Sequence, residues 1–460
     1  MQPQKRSFFT KDKEFYRTLF PMLITVAMQN LIAYSVNMAD NLMLGTYSQL
    51  ALSGAAIVNQ IFFMVQQFTN SVANSLVALA AQYYGQKRID PIRSITGIAL
   101  KLGIIVIAIV LILSQLIPGP ILRIFTSQES IIEQGKIYLR IVSWSFLLFV
   151  ITQTLMAALR TVQTVKISFW VSVVSLIVNV CINYVLIFGK FGFPKMGIAG
   201  AAIGTVIARA VELAIVLVYL FKFDKKLSLF KNGDIFAADK LLRHDYRKVY
   251  LPIMCSSVLW GVSVPMQTAI LGHLSDNAIA ANAVATTFYQ YLKVIIVAMS
   301  STSAALIGAS VGKGDIERVK SDARTMACID VLIGLVLGIA LVLLRGPLLS
   351  LYDLDPDAMR MANNLIAIMG IIMVGMSYQM PVSFGIIQGA GDGKFTMKMN
   401  MISTWCIVMP LSFAAAFWWK LPVEWVVVVI QSDQIFKGLP TFIHFRKYNW
   451  IKKLTRSDAQ

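Results

Sequence analysis

Four oxygen-bearing side chains lie at a similar predicted depth within otherwise apolar segments. Asp40 is near the end of the first such segment, Asn179 and Asn183 are near the end of the fifth, and Thr205 is near the start of the sixth. At about 1.5 Å per helical residue, all four fall within ~6–14 Å of one membrane boundary. A carboxylate, two amides and a hydroxyl suit a hard cation such as Na⁺, or a proton held by the carboxylate. Alternatively, the asparagines join helices and only satisfy Asp40.

The segments that must position these side chains are long and nearly free of charge. The chain has 460 residues, of which 57% are hydrophobic and 14% charged, and its mean hydropathy is +0.69. Stretches of ~20 apolar residues can cross the ~30 Å core of a bilayer as helices. The pattern predicts an all-α membrane protein with twelve transmembrane helices, placed near 18–43, 51–82, 94–117, 136–158, 166–188, 197–221, 247–271, 278–311, 322–344, 361–387, 396–418 and 423–443.

The two halves of the chain repeat one another. Residues 44–94 align without a gap on 271–321, with ten identities in fifty-one positions, and the shared glycines and connecting loop keep one register. Because each half has an even number of spans, both halves enter the membrane in the same orientation, as two six-helix bundles related by a pseudo-two-fold axis along the membrane normal. We therefore predict lobes at 1–222 and 247–460, joined by a basic cytoplasmic linker at 223–246.

The basic residues predict the topology. With both termini in the cytoplasm, the inside segments carry about 30 of the Lys and Arg residues and the outside segments about 8. The net charge of +18 is thus spread over short loops. This distribution indicates contact with a lipid bilayer and argues against nucleic-acid binding, which favours one basic face.

The second half has a different set of polar residues. In the repeat register Asp40 aligns with the neutral Gln267, and a shift of 228 aligns Thr205 with Asp433. Asp433 and Lys293 both lie in the middle of spans, so we predict an ion pair between them, with substrate binding or gating as the alternative role.

Two further predictions concern charges that lie within spans. Arg209 and Glu212 are three residues apart on one helix, which predicts that they neutralise each other. Asp330 is expected to have a structural partner.

Several segments resemble the multidrug and toxic compound extrusion (MATE) family. They are Met38–Gly45, Asn179–Leu186, Gly197–Thr205 and Gly385–Asp392, and the resemblance extends over about residues 15–450. It implies a cation-coupled antiporter that exports bulky, often cationic amphiphiles. It also implies that Asp40 is the family's first-helix aspartate, that Asn179 and Asn183 are its helix-5 polar pair, and that Thr205 is its helix-6 hydroxyl.

The chain departs from the family at two places. Some members carry an aspartate where Asn183 stands, so this cluster has one charge fewer, which favours a proton at Asp40 over a fixed Na⁺ site. Other members place acidic coupling residues in helices 7 and 10, where this chain has none.

Taken together, these features predict a plasma-membrane antiporter, working as a monomer, that exchanges organic cations or amphiphiles for H⁺ or Na⁺ without a cofactor. One alternative keeps the architecture and changes the cargo to lipid-linked or peptide-like molecules. An intramembrane enzyme is disfavoured because His244, His273 and His444 lie at helix ends or in loops.

Overall fold

The computed structural model describes residues 9–230, 240–272, 276–350, 352 and 355–456. All regular secondary structure within these ranges is helical. Residues 231–239 of the predicted linker lie outside the described residues.

Twelve helices in the described ranges are long and apolar enough to cross a membrane, which confirms the predicted number. In chain order they are α1 Lys13–Tyr47, α2 Gln49–Gly85, α3 Asp90–Leu116, α4 Glu129–Thr161, α5 Lys166–Phe188, α6 Ile198–Lys222, α7 Lys240–Gly272, α8 Asp276–Gly312, α9 Ile316–Leu349, α10 Pro356–Ile387, α11 Gly393–Trp418 and α12 Val423–Lys447. A short helix, Pro118–Arg123, lies between α3 and α4.

Local sequence signals explain several helix ends. The α3 helix has a proline in its first turn, where the missing N–H costs no helical hydrogen bond. The α5 helix stops at Gly189, whose φ of 68° is left-handed and therefore favours glycine. The α9 helix begins after Asp315, whose carboxylate accepts a 3.0 Å hydrogen bond from the backbone N–H of Arg318. These ends define the loops that separate the apolar segments.

The described parts of the chain form two compact units. One contains Met28–Ala80 and Arg88–Arg247, and the other contains Met1–Ala27, Ala81–Lys87 and Lys248–Gln460. Each has an apolar core: Leu139 and Phe146 on α4 belong to the first core, and Met369 and Met373 on α10 belong to the second. The first part of α1 and the last turn of α2 thus belong to the same unit as α8–α12.

A pair of repeat-equivalent glycines lets α2 and α8 approach closely within the second unit. A Cβ at Gly85 would meet the backbone oxygen of Ala309, and a Cβ at Gly312 would meet the backbone oxygen of Gln82. The Gln82 side chain also donates a 3.0 Å hydrogen bond to the Lys452 carbonyl, beyond the end of α12. Glycine is required at both positions because any larger residue would push the two backbones apart.

The last three helices are less regular than the first six. Turns of the wider π type occur at Pro381–Ile387 in α10, and at Met401–Val408 and Ala414–Trp418 in α11. The α12 helix is divided into the shorter pieces Val423–Gln431, Asp433–Phe436 and Gly438–Lys447. Such turns are frequent at functional sites in helices, and here the turn at Met401–Val408 places Ser403 and Thr404 next to the buried Asp433.

Candidate functional site

The Asp40 carboxylate on α1 is joined to the two asparagines of α5. The Asn183 amide nitrogen donates a 2.6 Å hydrogen bond to Asp40 Oδ1 and a 3.3 Å bond to Asn179 Oδ1. The two asparagines are 1% and 0% exposed. They occupy one face of α5 because they are four residues apart. The structure therefore brings these three predicted side chains together.

Two polar atoms of this cluster are buried without a hydrogen-bond partner among the described residues, Asn179 Nδ2 and Asn183 Oδ1. Asn183 Oδ1 faces α6 at Gly204, where an added Cβ would collide with that oxygen. Gly204 thus creates the space that Asn183 occupies. An unsatisfied buried polar atom costs about 1–3 kcal/mol, so the unpartnered atom on each amide makes this arrangement less stable than a fully hydrogen-bonded one.

Thr205 does not contact Asp40 directly. Its hydroxyl donates a 3.0 Å hydrogen bond to the Ala201 carbonyl on the same helix. The buried Tyr138 on α4 lies near both, since its hydroxyl is within electrostatic range of the Thr205 side chain and of Asp40. Tyr138 was not predicted as a site residue from the sequence, although its depth near the start of the fourth span is a signal that could have found it.

A buried ion pair on α6 provides the nearest positive charge. The Arg209 guanidinium donates hydrogen bonds of 3.0 and 2.8 Å to the two oxygens of Glu212, which confirms the predicted pairing. The guanidinium also lies 4.9 Å from the centre of the Phe149 ring. Arg209 interacts with Asp40 only at longer range. Glu212 thus neutralises Arg209. Asp40 has no salt-bridge partner within the described ranges.

This arrangement can hold one exchangeable positive charge. A carboxylate that has a single amide donor and no counter-ion can accept a proton from water. Na⁺ would need several oxygens at 2–3 Å, and the Asn183 amide presents its nitrogen to the carboxylate, so that amide would have to turn over before its oxygen could join a cation site. The residues therefore fit a proton directly and fit Na⁺ only after rearrangement.

The predicted ion pair between Lys293 and Asp433 is wrong. Asp433 Oδ2 instead pairs with the Lys437 ammonium at 2.7 Å, four residues along α12. The Ser403 hydroxyl donates to Asp433 Oδ1 at 2.7 Å, and the Thr404 hydroxyl lies 3.3 Å from Oδ2. A partner one helical turn away requires no approach of another helix, which explains why Lys437 is favoured over Lys293.

Lys293 lies elsewhere on the second unit. Its ammonium is 5.3 Å from the centre of the Trp260 ring on α7, a cation–π contact, and it forms no salt bridge with a carboxylate whose side chain the structure describes. Gln267, also on α7, is half-buried and makes none of the hydrogen bonds around Asp433. The structure therefore does not bring together the three residues predicted for the second half.

Comparison with known proteins places this chain in a family. The MatE family profile matches residues 25–185 and 252–414, one segment in each half. A probable multidrug resistance protein NorM from Thermotoga maritima is 24% identical over 99% of this chain and 98% of its own length. A NorM from Halalkalibacterium halodurans is 25% identical over 88% of each chain.

Two solved structures share the fold. The Vibrio cholerae MATE transporter VcmN, as an aspartate-to-asparagine mutant, matches with a TM-score of 0.86 and 17% identity over 96% of this chain and 98% of that one. A MOP superfamily transporter from Pyrococcus furiosus, described by a reverse polarity of its binding pocket that suggests a different function, matches with a TM-score of 0.83 and 16% identity over 96% of this chain and 100% of that one.

The chain belongs to the MatE family, the multidrug and toxic compound extrusion transporters that its sequence resembles. It is therefore a multi-pass membrane transporter with the two-lobe fold of twelve helices, and not an enzyme.

Proposed function

We propose that the protein is a secondary antiporter that exports bulky cationic or amphiphilic compounds in exchange for H⁺ or Na⁺, with Asp40 as the coupling carboxylate. The observation that carries the proposal is the bonding of Asp40: one short hydrogen bond from Asn183 and no salt bridge within the described residues. The drug-efflux class is supported by the relatives named as multidrug resistance proteins.

Coupling follows if the lobes expose the site to each side of the membrane in turn. In this mechanism Asp40 can be neutralised by a coupling ion or by a cationic substrate, but not by both at once. Each ligand shifts the population toward the conformation that binds it better. Uphill export then draws on the ion gradient because the ion displaces the substrate at the outer side and is itself released inside.

We favour the proton as the coupling ion. Desolvation disfavours the charged form of a carboxylate, and the cluster contains no second acidic side chain among the residues described. Asn183 donates to Asp40 through its amide nitrogen, which leaves few oxygens to coordinate Na⁺. Both points argue that Asp40 exchanges a proton more readily than a metal cation.

A second candidate cargo is a lipid-linked or peptide-like molecule that carries a phosphate or carboxylate. The observation that favours it is Lys293, which has a cation–π contact with Trp260 and no carboxylate partner in the described parts of the chain. An ammonium in this setting suits an anionic group better than a cationic drug. The Pyrococcus furiosus transporter of the same fold, whose reverse pocket polarity suggests a different function, supports considering this second cargo.

The experiment that tests the proposal is efflux of a fluorescent cationic dye from energised vesicles. It is run with and without Na⁺, and with and without a protonophore. Dye movement in Na⁺-free buffer that responds to an imposed pH step and is lost with the protonophore supports H⁺ coupling. Strict dependence on Na⁺ without a response to pH assigns the coupling to Na⁺. Movement of an anionic lipid analogue but not of the dye favours the second cargo.

The remaining parts of the proposal concern how the chain sits in the membrane. We propose both termini in the cytoplasm of the plasma membrane, functional lobes at 1–222 and 247–460, and a monomer as the working unit. Cysteine labelling from each side of the membrane, at positions in the loops, tests the topology.

A further inference from the structure

Asp330, near the middle of α9, is the least satisfied charged group in the described chain. Its side chain is 1% exposed, and neither carboxylate oxygen has a hydrogen-bond partner among the described residues. The structural partner expected from the sequence is therefore not found among them. Other buried carboxylates such as Asp433 have hydroxyl and ammonium partners.

The neighbourhood of Asp330 on α10 is polar but uncharged. The Tyr378 hydroxyl is also buried without a hydrogen-bond partner among the described residues. This tyrosine lies within electrostatic range of the Asp330 carboxyl group. One turn beyond Asp330, Gly334 lets the Ser377 hydroxyl pack directly against α9, and that hydroxyl donates to the Val374 carbonyl at 2.8 Å. The packed helices α9 and α10 thus each carry an oxygen-bearing side chain that is buried and unsatisfied among the described residues.

The charges on the elements around Asp330 are engaged elsewhere. On α10, Arg360 pairs with Asp357 at 3.6 Å in the exposed first turn. Nearer the start of α9, Arg318 bonds to Asp12 of the amino-terminal segment and lies 3.7 Å from Asp322.

The titratable groups of α8 and of α9 itself supply no counter-charge. On α8, the Tyr289 hydroxyl donates to Met376 Sδ, and the Lys293 ammonium lies over the Trp260 ring. On α9 itself, Lys320 pairs with Glu317 and Arg324 bonds to the Tyr448 hydroxyl. No described side chain forms a salt bridge with Asp330.

We propose that Asp330 is a second proton-binding site, in the carboxy-terminal half, which is protonated in this conformation and releases its proton when α9 and α10 admit water. An ionised carboxylate without a partner in a dry interior would be very costly, whereas the neutral acid is tolerated. The proton is taken from water and returned to water, and no other bond changes. The proposal rests on the proposed antiport function and adds a site to it.

The direct test is infrared spectroscopy of the purified protein in lipid at neutral pH. We expect the carbonyl band of protonated carboxylic acid in the wild type, and the loss of one component of it in Asp330→Asn. The comparison is repeated in an Asp40→Asn background, which removes the other proposed proton site. The matched control is Asp322→Asn, which removes a buried carboxylate on the same helix that is bonded to Ser310 at 3.1 Å and should leave the band in place. If Asp330→Asn does not fold, Asp330→Leu, an apolar side chain of similar size, serves for the same comparison.

Transport measures whether this proton is exchanged. With dye and internal pH followed together in proteoliposomes, Asp330→Asn should move fewer protons per dye molecule than the wild type, while Asp322→Asn keeps the wild-type ratio. An unchanged ratio in Asp330→Asn, or a carboxylic acid band that the substitution leaves undiminished, would overturn the proposal.

The spectroscopic arm also separates this proposal from the proposed function. If the wild type moves no dye in any gradient, the antiport of cationic compounds fails, and the wild-type band is then titrated with pH. Loss of the Asp330 band at alkaline pH would still support an exchangeable proton site, and persistence of the band would overturn it.

Discussion

A buried carboxylate has different bonding partners in the amino-terminal site and in the equivalent region of the second half. In the first half, Asp40 receives one hydrogen bond from Asn183, and the nearby Arg209 is neutralised by Glu212. In the second half, Asp433 and Lys437 stand at the repeat positions of Thr205 and Arg209 and neutralise each other at 2.7 Å.

The difference shows what keeps a buried carboxylate available for exchange. Asp433 has a permanent cation and two hydroxyls around it, so a proton or a substrate cation would have to displace an intramolecular partner. At Asp40 the only bonded partner is a neutral amide, so an incoming cation meets no competitor. The repeat therefore preserves the helices but not the bonding of these two carboxylates: Asp433 is neutralised internally, whereas Asp40 is bonded only to a neutral amide.

The largest expected effect is that of Asp40→Asn. This substitution keeps the shape of the side chain but removes its titration, so gradient-driven dye efflux should be abolished while the protein remains in the membrane. Vesicle efflux, normalised to the protein present in the membrane, measures it. Efflux at the wild-type rate would remove Asp40 from the coupling mechanism and with it the contrast between the two halves.

The next largest effect is expected for stability at the Asp433–Lys437 pair. Either Asp433→Asn or Lys437→Met leaves an uncompensated buried group and should cost about 3–5 kcal/mol. The double variant should recover much of the stability that each single variant loses, because no isolated charge remains. Thermal unfolding in detergent measures the cycle, and losses that simply add would contradict the observed contact. Asp40→Asn is the matched control, since Asp40 lacks such a partner and its loss of stability should be smaller.

A smaller effect is expected for Gly204→Ala. The new Cβ would collide with Asn183 Oδ1, which forces the amide away from the position in which it donates to Asp40. Overpacking of this kind costs about 1–3 kcal/mol, and dye efflux should fall together with thermal stability. Gly200→Ala is not a suitable control, because its Cβ would collide with the α5 backbone at Leu186. Gly192→Ala serves as the control for backbone strain alone, because a Cβ at this glycine meets no atom within 4 Å. Normal efflux in Gly204→Ala would show that the orientation of Asn183 does not matter.

The sequence predicts most of the fold, because each span is long and mostly apolar. It also predicts the Asp40 cluster, since residues at one depth on neighbouring helices have few other partners. It fails at Asp433 because the prediction pairs mid-span charges across helices, whereas the actual partner, Lys437, is one turn away on the same helix. The first break in α12, at Ser432, has no proline or glycine to reveal it, whereas the last piece of the helix begins at Gly438. Tyr138 was missed because an aromatic residue in an apolar span usually belongs to the core.

The smallest expected effect is that of Tyr138→Phe, which tests whether the hydroxyls of Tyr138 and Thr205 belong to the Asp40 site. Tyr138 is 4% exposed and its repeat counterpart, with the same shift of 228, is the buried Ile366, so the hydroxyl has no equivalent in the second half. Its removal leaves the ring packing intact and deletes only the interaction with Thr205 and Asp40. A neutral hydrogen bond contributes about 0.5–1.5 kcal/mol, so we expect a small loss of thermal stability and a several-fold slower dye efflux. Thr205→Val, which removes the partner hydroxyl, should have a similar effect, and the double variant should be little worse than either alone. Additive losses would show that the two hydroxyls act separately and that Thr205 is outside the Asp40 site, which would reduce the amino-terminal cluster to the carboxylate and its two asparagines.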